Sequence, residues 1–289
     1  GVFHATSWIE VIFNPSFPYR LAHMLLASTL TSAFLIAGLS AWQLLRGTAN
    51  GGTRHALRAG VIAAALAIPV QIFVGDQHGL NTLEHQPAKI AAIEGIWHTE
   101  KSAPLTLFGW PNEKEGRTDY AVRVPKLASI ILAHDSEAEL KGLNEFPNAH
   151  PPVAGVFWSF RIMVGVGMLM LAVSWWCAWR LRRGELSKLQ LRVLSAMTFA
   201  GWVSTLAGWC VTEIGRQPFL VYGLLRTADL VGEHAPGTVL STLIAYLALY
   251  AFLLSSYVLV LMYMAGHPAK PTGPSPQSPT SAEPVGGPA

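Results

Sequence analysis

Residues 156–180 read VFWSFRIMVGVGMLMLAVSWWCAWR. From Val156 to Trp179 one charged side chain, Arg161, interrupts an otherwise apolar run. The hydrocarbon core of a bilayer takes about 20 residues of helix to cross, so this stretch predicts a spanning helix. The link that follows carries Arg180, Arg182, Arg183 and Lys188 against Glu185 alone, which puts that end on the cytoplasmic side.

Working outward, four more stretches have the same character, near 20–45, 57–75, 190–212 and 237–265. The second is short and contains Pro69, which a membrane helix tolerates when its neighbours satisfy the freed backbone. The link after the first stretch holds Arg46, Arg54 and Arg58 with no acid, so it too is cytoplasmic. Residues 76–155, whose acids outnumber their Lys and Arg, then form an external loop. The fold class expected is all-α: a polytopic transmembrane bundle of about five spanning helices with a periplasmic loop. The chain is 51% hydrophobic and 13% charged, where a soluble domain carries about 25% charged residues. A net charge of +3, widely dispersed, gives no footprint for nucleic acid. Cys177 and Cys210 lie in apolar runs without metal-ligand or disulfide spacing. Residues 266–289, rich in Pro, Gly and Ser, predict a disordered cytoplasmic tail behind a transmembrane portion at 1–265.

Ionisable groups inside a span are costly, so each raises a functional question. His23 sits about one turn inside the first helix from its outer end, and Met163 about two turns inside the third, at about 1.5 Å per residue. The two reach similar depth, and a haem between them would find one axial ligand on each helix; ordinary interhelical packing is the alternative for both. Arg161 either snorkels to the outer interface or meets a haem propionate. Glu213 and Arg216, one turn apart at the end of the fourth helix, either form a solvated ion pair or offer a carboxylate to a metal or proton. In the external loop, residues 86–97 predict a short helix with Ile90, Ile93 and Trp97 on one stripe and Lys89 and Glu94 beside it. Such a segment either lies on the membrane surface or provides a quinol with an apolar slot and proton-accepting groups.

Several segments together resemble the cytochrome bd quinol oxidase subunit I family. Residues 88–97 (AKIAAIEGIW), followed by Leu107-Phe108-Gly109, are similar to that family's quinol-binding loop. Phe160-Arg161-Ile162-Met163 resembles its FRIM segment, and Gly215-Arg216-Gln217-Pro218-Phe219 its GRQP(W/F) signature. Asn14-Pro15 ahead of Leu21-Ala22-His23, and Gly75-Asp76, also fit. The matches keep their order from residue 1 to about 265. The compact external loop, and Arg226-Thr227-Ala228-Asp229 after the signature, resemble the short-loop branch that includes cyanide-insensitive oxidases.

The resemblance implies roles residue by residue. His23 and Met163 are expected to ligate a low-spin haem b, and Glu213 a high-spin haem b. Lys89 and Glu94 are expected to serve quinol oxidation. Arg161 and Arg216 match arginines beside the haems, and Trp209 a tryptophan near the di-haem centre. The family's subunit I has nine helices, and the present five match its second half. The chain is therefore expected to be a fragment without the haem d ligand, inactive toward oxygen alone. Its expected partners are subunit II, the remaining helices of subunit I, quinol, oxygen and the lipid of a bacterial inner membrane. The alternative is a membrane cytochrome b that transfers electrons without reducing oxygen. A transporter would need polar groups at mid-membrane, where these spans are almost wholly apolar.

Overall fold

A computed structural model describes residues 6–230, 232 and 234–267. In chain order the helices are α1 (Trp8–Ile12), α2 (Phe17–Arg46), α3 (Thr53–His85), α4 (Pro87–Glu94), α5 (Leu127–Ala133), α6 (Val153–Leu181), α7 (Lys188–Ala196), α8 (Ala200–Ile214) and α9 (Pro236–Gly266). Three two-stranded antiparallel ribbons lie between them: β1 (Glu100–Lys101) with β4 (Glu139–Leu140), β2 (Leu105–Asn112) with β3 (Arg117–Val124), and β5 (Phe219–Val221) with β6 (Leu225–Arg226). Five helical segments are long and apolar enough to cross a membrane: α2, α3, α6, α7 with α8, and α9. The protein is a multi-pass membrane protein of predominantly helical fold. The expected tail lies, from residue 268 onward, outside the described residues.

Two spans differ from the sequence expectation. The second does not stop at 75 but runs to His85. The polar residues from Asp76 to Glu84 mark where the helix leaves the lipid; nothing among them breaks a helix. Pro69 lies inside it, and the Ala65 carbonyl that proline cannot satisfy accepts the Trp175 indole N–H of α6 at 3.0 Å. The fourth span is two helices. Between α7 and α8 the chain turns at Met197–Phe199, where the Thr198 hydroxyl donates to Ser195 O at 2.6 Å.

The main core lies toward the end of the bundle that carries the basic links. Leu30, Phe34 and Ala37 of α2, Val61, Ala64 and Ile68 of α3, Met170, Val173 and Cys177 of α6, and Leu194 of α7 pack there. Lipid tails are as apolar as leucine, so helices associate in a bilayer by close fit, and small residues provide it. A Cβ on Gly60 would lie 2.7 Å from Ala33 O, one on Gly38 2.3 Å from Thr198 Oγ1, and one on Gly201 2.5 Å from Thr31 Cα. The basic links meet at this same end: Arg54 pairs with Glu185 at 3.1 Å, and Arg58 donates to Leu181 O. Helix α9 joins there as well, its Ala265 carbonyl accepting from Gln43 Nε2 at 2.8 Å.

A second core caps the opposite end. Ile90, Ala91, Ala92, Ile93 and Ile96 pack with Leu132, Leu140, Leu143, Val153, Val156 and Val211. Helix α4 is buried from Ala88 to Glu94, so it is enclosed by the cap rather than laid on the membrane surface. Gly38→Ala is expected to destabilise the bundle by about 1–3 kcal/mol, because the methyl group meets Thr198 backbone that has no room to retreat. Thermal melting in detergent would register the drop; an unchanged midpoint would contradict the close fit.

Candidate functional site

Between the two cores lies a layer without fully buried side chains. Among the described residues α2 has none before Leu30, α3 none after Ile68, and α6 none from Trp158 to Leu169. His23 and Met163 both fall in this layer. Helices α3 and α8 each pack against both α2 and α6, so the two residues face the layer from helices held apart by their neighbours. Their levels follow from the Thr31–Gly201 contact. His23 lies eight residues outward along α2 and Gly208 seven outward along α8, roughly 12 and 10 Å at the helical rise. Met163 is level with Gly208, since a Cβ there would sit 2.9 Å from the Met163 sulfur.

His23 is held by α3. Its Nε2 is 3.1 Å from Gln71 Nε2, and its ring lies over Gly75, where a Cβ would be 3.3 Å from Cε1. The His78 ring is 5.9 Å away. His23 Nδ1 and Gln71 Oε1 are both buried without a hydrogen-bond partner. Buried polar atoms are rarely left so. Gln71, Gly75 and His78 share one face of α3 at spacings of four and three. Sequence reading missed His78 because it ended the helix at 75, and Gln71, although inside the expected span, because no spacing ties it to a residue of α2.

Further out, Arg216 donates to Glu213 Oε2. Lys89 reaches across from α4 to the end of α8, where a Cβ on Gly215 would lie 2.5 Å from Lys89 Cε. Burial, then the Arg20 and Arg216 cations, push the Lys89 ammonium down to about 8, with Glu213 opposing. Lys89, Arg20, Glu213 and Arg216 thus form one charged group at the outer edge of the layer.

Glu94 is not part of that group. Five residues beyond Lys89, it points from α4 toward α6 and is 2% exposed. Its Oε2 is 3.5 Å from the Arg161 guanidinium and has no hydrogen-bond donor. Burial raises its pKa to about 7, against the opposing charge of Arg161. Gly95 places it, closing α4 at φ +67, with Thr118 and Phe157 where a Cβ would stand. The hydrogen bonds of Arg161 all go to backbone carbonyls, those of Thr106, Ile93 and Phe157. Trp209 of α8 is 63% exposed, one turn before Glu213. A second contact absent from the sequence reading ties α3 to the cap, His134 Nε2 lying 3.2 Å from Asp76 Oδ2. An open cavity of about 240 Å³ in the cap is lined by Leu83, Pro87, Ile90, Ile96 and Leu140 and touches neither Lys89 nor Glu94.

Fold and site define a membrane-embedded bundle whose outer end carries buried titratable groups above a layer faced by an imidazole and a thioether. The family model described as cytochrome bd terminal oxidase subunit I matches residues 1–268. The cytochrome bd-II ubiquinol oxidase subunit 1 of Escherichia coli (strain K12) is 27% identical, the match covering 89% of this chain and 64% of that protein. The cytochrome bd ubiquinol oxidase subunit 1 of Bacillus subtilis (strain 168) is 32% identical, over 84% of this chain and 55% of that one. The solved bd oxidase from Geobacillus thermodenitrificans superposes with a TM-score of 0.79 at 31% identity, covering 89% of this chain and 59% of that chain. The chain belongs to the cytochrome bd terminal oxidase subunit I family, and it spans between 55% and 64% of the length of these relatives.

The carboxyl of Glu94 ionises near 4.5 when exposed and near 7 in the cap. The folded cap therefore holds this proton more tightly than the open chain, and its stability falls as pH rises through that window. Glu94→Gln is expected to remove the fall. Melting curves of the two proteins compared from about pH 4.5 to 8 should diverge in favour of the variant as pH rises; parallel curves would contradict the assignment.

Proposed function

We propose that this chain is a haem-bearing, quinol-oxidising portion of a bd-type quinol oxidase in a bacterial cytoplasmic membrane. The observation that carries the reading is Glu94. It is a buried carboxyl group with one oxygen lacking a donor, held close to neutral pH in its proton affinity, on the membrane's outer side and above the layer faced by His23 and Met163. A general base works best when its pKa lies near the operating pH. The relatives named as ubiquinol oxidases support the same substrate class.

The residues fit haem. His23 has a buried nitrogen in want of a partner, and Gly208 leaves the Met163 thioether its place on the opposite side. These two would hold a low-spin haem b, and Glu213 a high-spin haem b with Arg216 and Trp209 beside it. Bound there, haem supplies a one-electron carrier, which His/Met ligation biases toward the reduced state. The chain's own residues do the proton work. A quinol hydroxyl donates to Glu94 Oε2, and oxidation to quinone releases two protons on the outer side and two electrons toward the His23–Met163 layer. Arg161 keeps the ionised carboxylate from being expelled. Lys89 sets positive charge over the end of α8, where quinol anion or haem carboxylate would gain from it. Oxygen reduction would need a haem d centre, whose ligand the remainder of subunit I would supply, with subunit II as partner.

In the assembled oxidase the rate of quinol oxidation is expected to rise with pH through about 7 as Glu94 ionises. Glu94→Gln should lower the rate by about 100-fold or more and flatten that limb. Steady-state rates across the pH range decide it; a normal limb in the variant would remove Glu94 from the reaction.

A further inference from the structure

We propose that Arg161 is the positioning residue of the quinol-oxidation site, a clamp that joins α4 and β2 to α6 and so fixes where the Glu94 carboxyl group stands. The proposal rests on the reading of Glu94 given above and adds a residue whose own contacts define its task.

Arg161 is buried, with 12% of its side chain exposed. Its Nη1 donates to Ile93 O at 2.6 Å and to Phe157 O at 3.0 Å. Its Nε donates to Thr106 O at 3.0 Å, and Nη2 donates to the same oxygen. The guanidinium carbon stands 3.3 Å from the centre of the Phe157 ring. Three carbonyls from three elements thus converge on one cation: the last turn of α4, strand β2 and the first turns of α6. Ile93 immediately precedes Glu94, so the bond to its carbonyl holds the backbone that aims the carboxyl group. The ion pair at 3.5 Å then completes the arrangement from the side-chain end.

The geometry requires arginine. A planar fork with five N–H donors reaches several acceptors at once, whereas a lysine ammonium is a compact point charge on a flexible stem. These donors are occupied by protein, which separates Arg161 from a residue that only snorkels to the interface or binds a cofactor carboxylate. Its place on α6 adds a consequence. Arg161 and Met163 lie two residues apart, roughly 200° around the helix at 3.6 residues per turn. One short stretch of α6 therefore carries the anchor of the cap on one side and a residue of the inner layer on the other. The distance between the proton acceptor and that layer is set by a single rigid turn. The Arg161 charge opposes the effect of burial on Glu94.

The test uses the assembled oxidase with Arg161→Gln, Arg161→Lys and Glu94→Gln, and reads three things. These are the pH profile of quinol oxidation with its KM, the infrared carboxyl band assigned to Glu94 by its loss in Glu94→Gln, and the rate of proteolysis within residues 105–125. With Arg161→Gln the Glu94 limb and band should titrate about one pH unit higher or more, KM should rise about tenfold, and cleavage should quicken. Arg161→Lys restores charge without the fork, so the titration should return toward wild type while KM and cleavage stay altered. An unmoved band and unaltered cleavage in Arg161→Gln would overturn the clamp. Should that variant fail to assemble, wild-type cleavage and KM in Arg161→Lys would overturn it equally. If the band moves in Arg161→Gln while Glu94→Gln oxidises quinol normally, the clamp stands and the quinol reading falls. If Glu94→Gln abolishes the limb while Arg161→Gln leaves the band in place, the reverse holds.

Discussion

The structure depends on how closely α2 approaches its neighbours at the end of the bundle that carries the basic links. Hydrocarbon gives helices no hydrophobic reason to associate, so dispersion across a tight interface has to hold them. Gly38, Gly60 and Gly201 make that interface possible by letting backbone meet backbone. Side chains from α3, α6 and α7 close around the contact and form a core that ends at Leu30, Ile68 and Met170. Because the helices are fixed at one end, their positions at the other are fixed as well. His23, Gly208 and Met163 come to one level as a consequence of that packing.

The outer end is governed by a different constraint. A loop carrying functional groups above a membrane would ordinarily leave them in water, where carboxylates and ammonium groups keep their usual proton affinities. Here the loop builds a core of its own and encloses α4 from Ala88 to Glu94. Enclosure raises the proton affinity of Glu94 and lowers that of Lys89, bringing both toward neutral pH. The two groups are then separated by the helix that carries them. Lys89 joins Arg20, Glu213 and Arg216 over α8, and Glu94 joins Arg161 over α6. The two titratable groups thus occupy different sides of one short helix.

Much of this was legible in the sequence. Apolar runs long enough for a bilayer determine the span count without reference to packing. The segments around Lys89, Arg161 and Glu213 carried the family. What could not be read depends on tertiary contact. Polar residues after Asp76 resembled the start of a loop because sequence marks the edge of the lipid more clearly than the end of a helix, and His78 stayed apart from His23 for that reason; Gln71 meets His23 only through the packing of α3 on α2. The turn between α7 and α8 has no Gly or Pro; it forms because Thr198 packs on Gly38. The hydrogen bonds of Arg161 reach Ile93 and Thr106, carbonyls distant in sequence that no pattern announces.

In the function proposed, His23 and Met163 would hold one haem across the layer between the two cores. A reduced-minus-oxidised optical spectrum of the purified, assembled membrane protein, wild type beside His23→Ala and Met163→Leu, tests it most directly. A low-spin haem b band present in the wild type and lost in both variants is the expected result. A band that survives both substitutions unchanged would show that the ligands lie elsewhere and contradict the account.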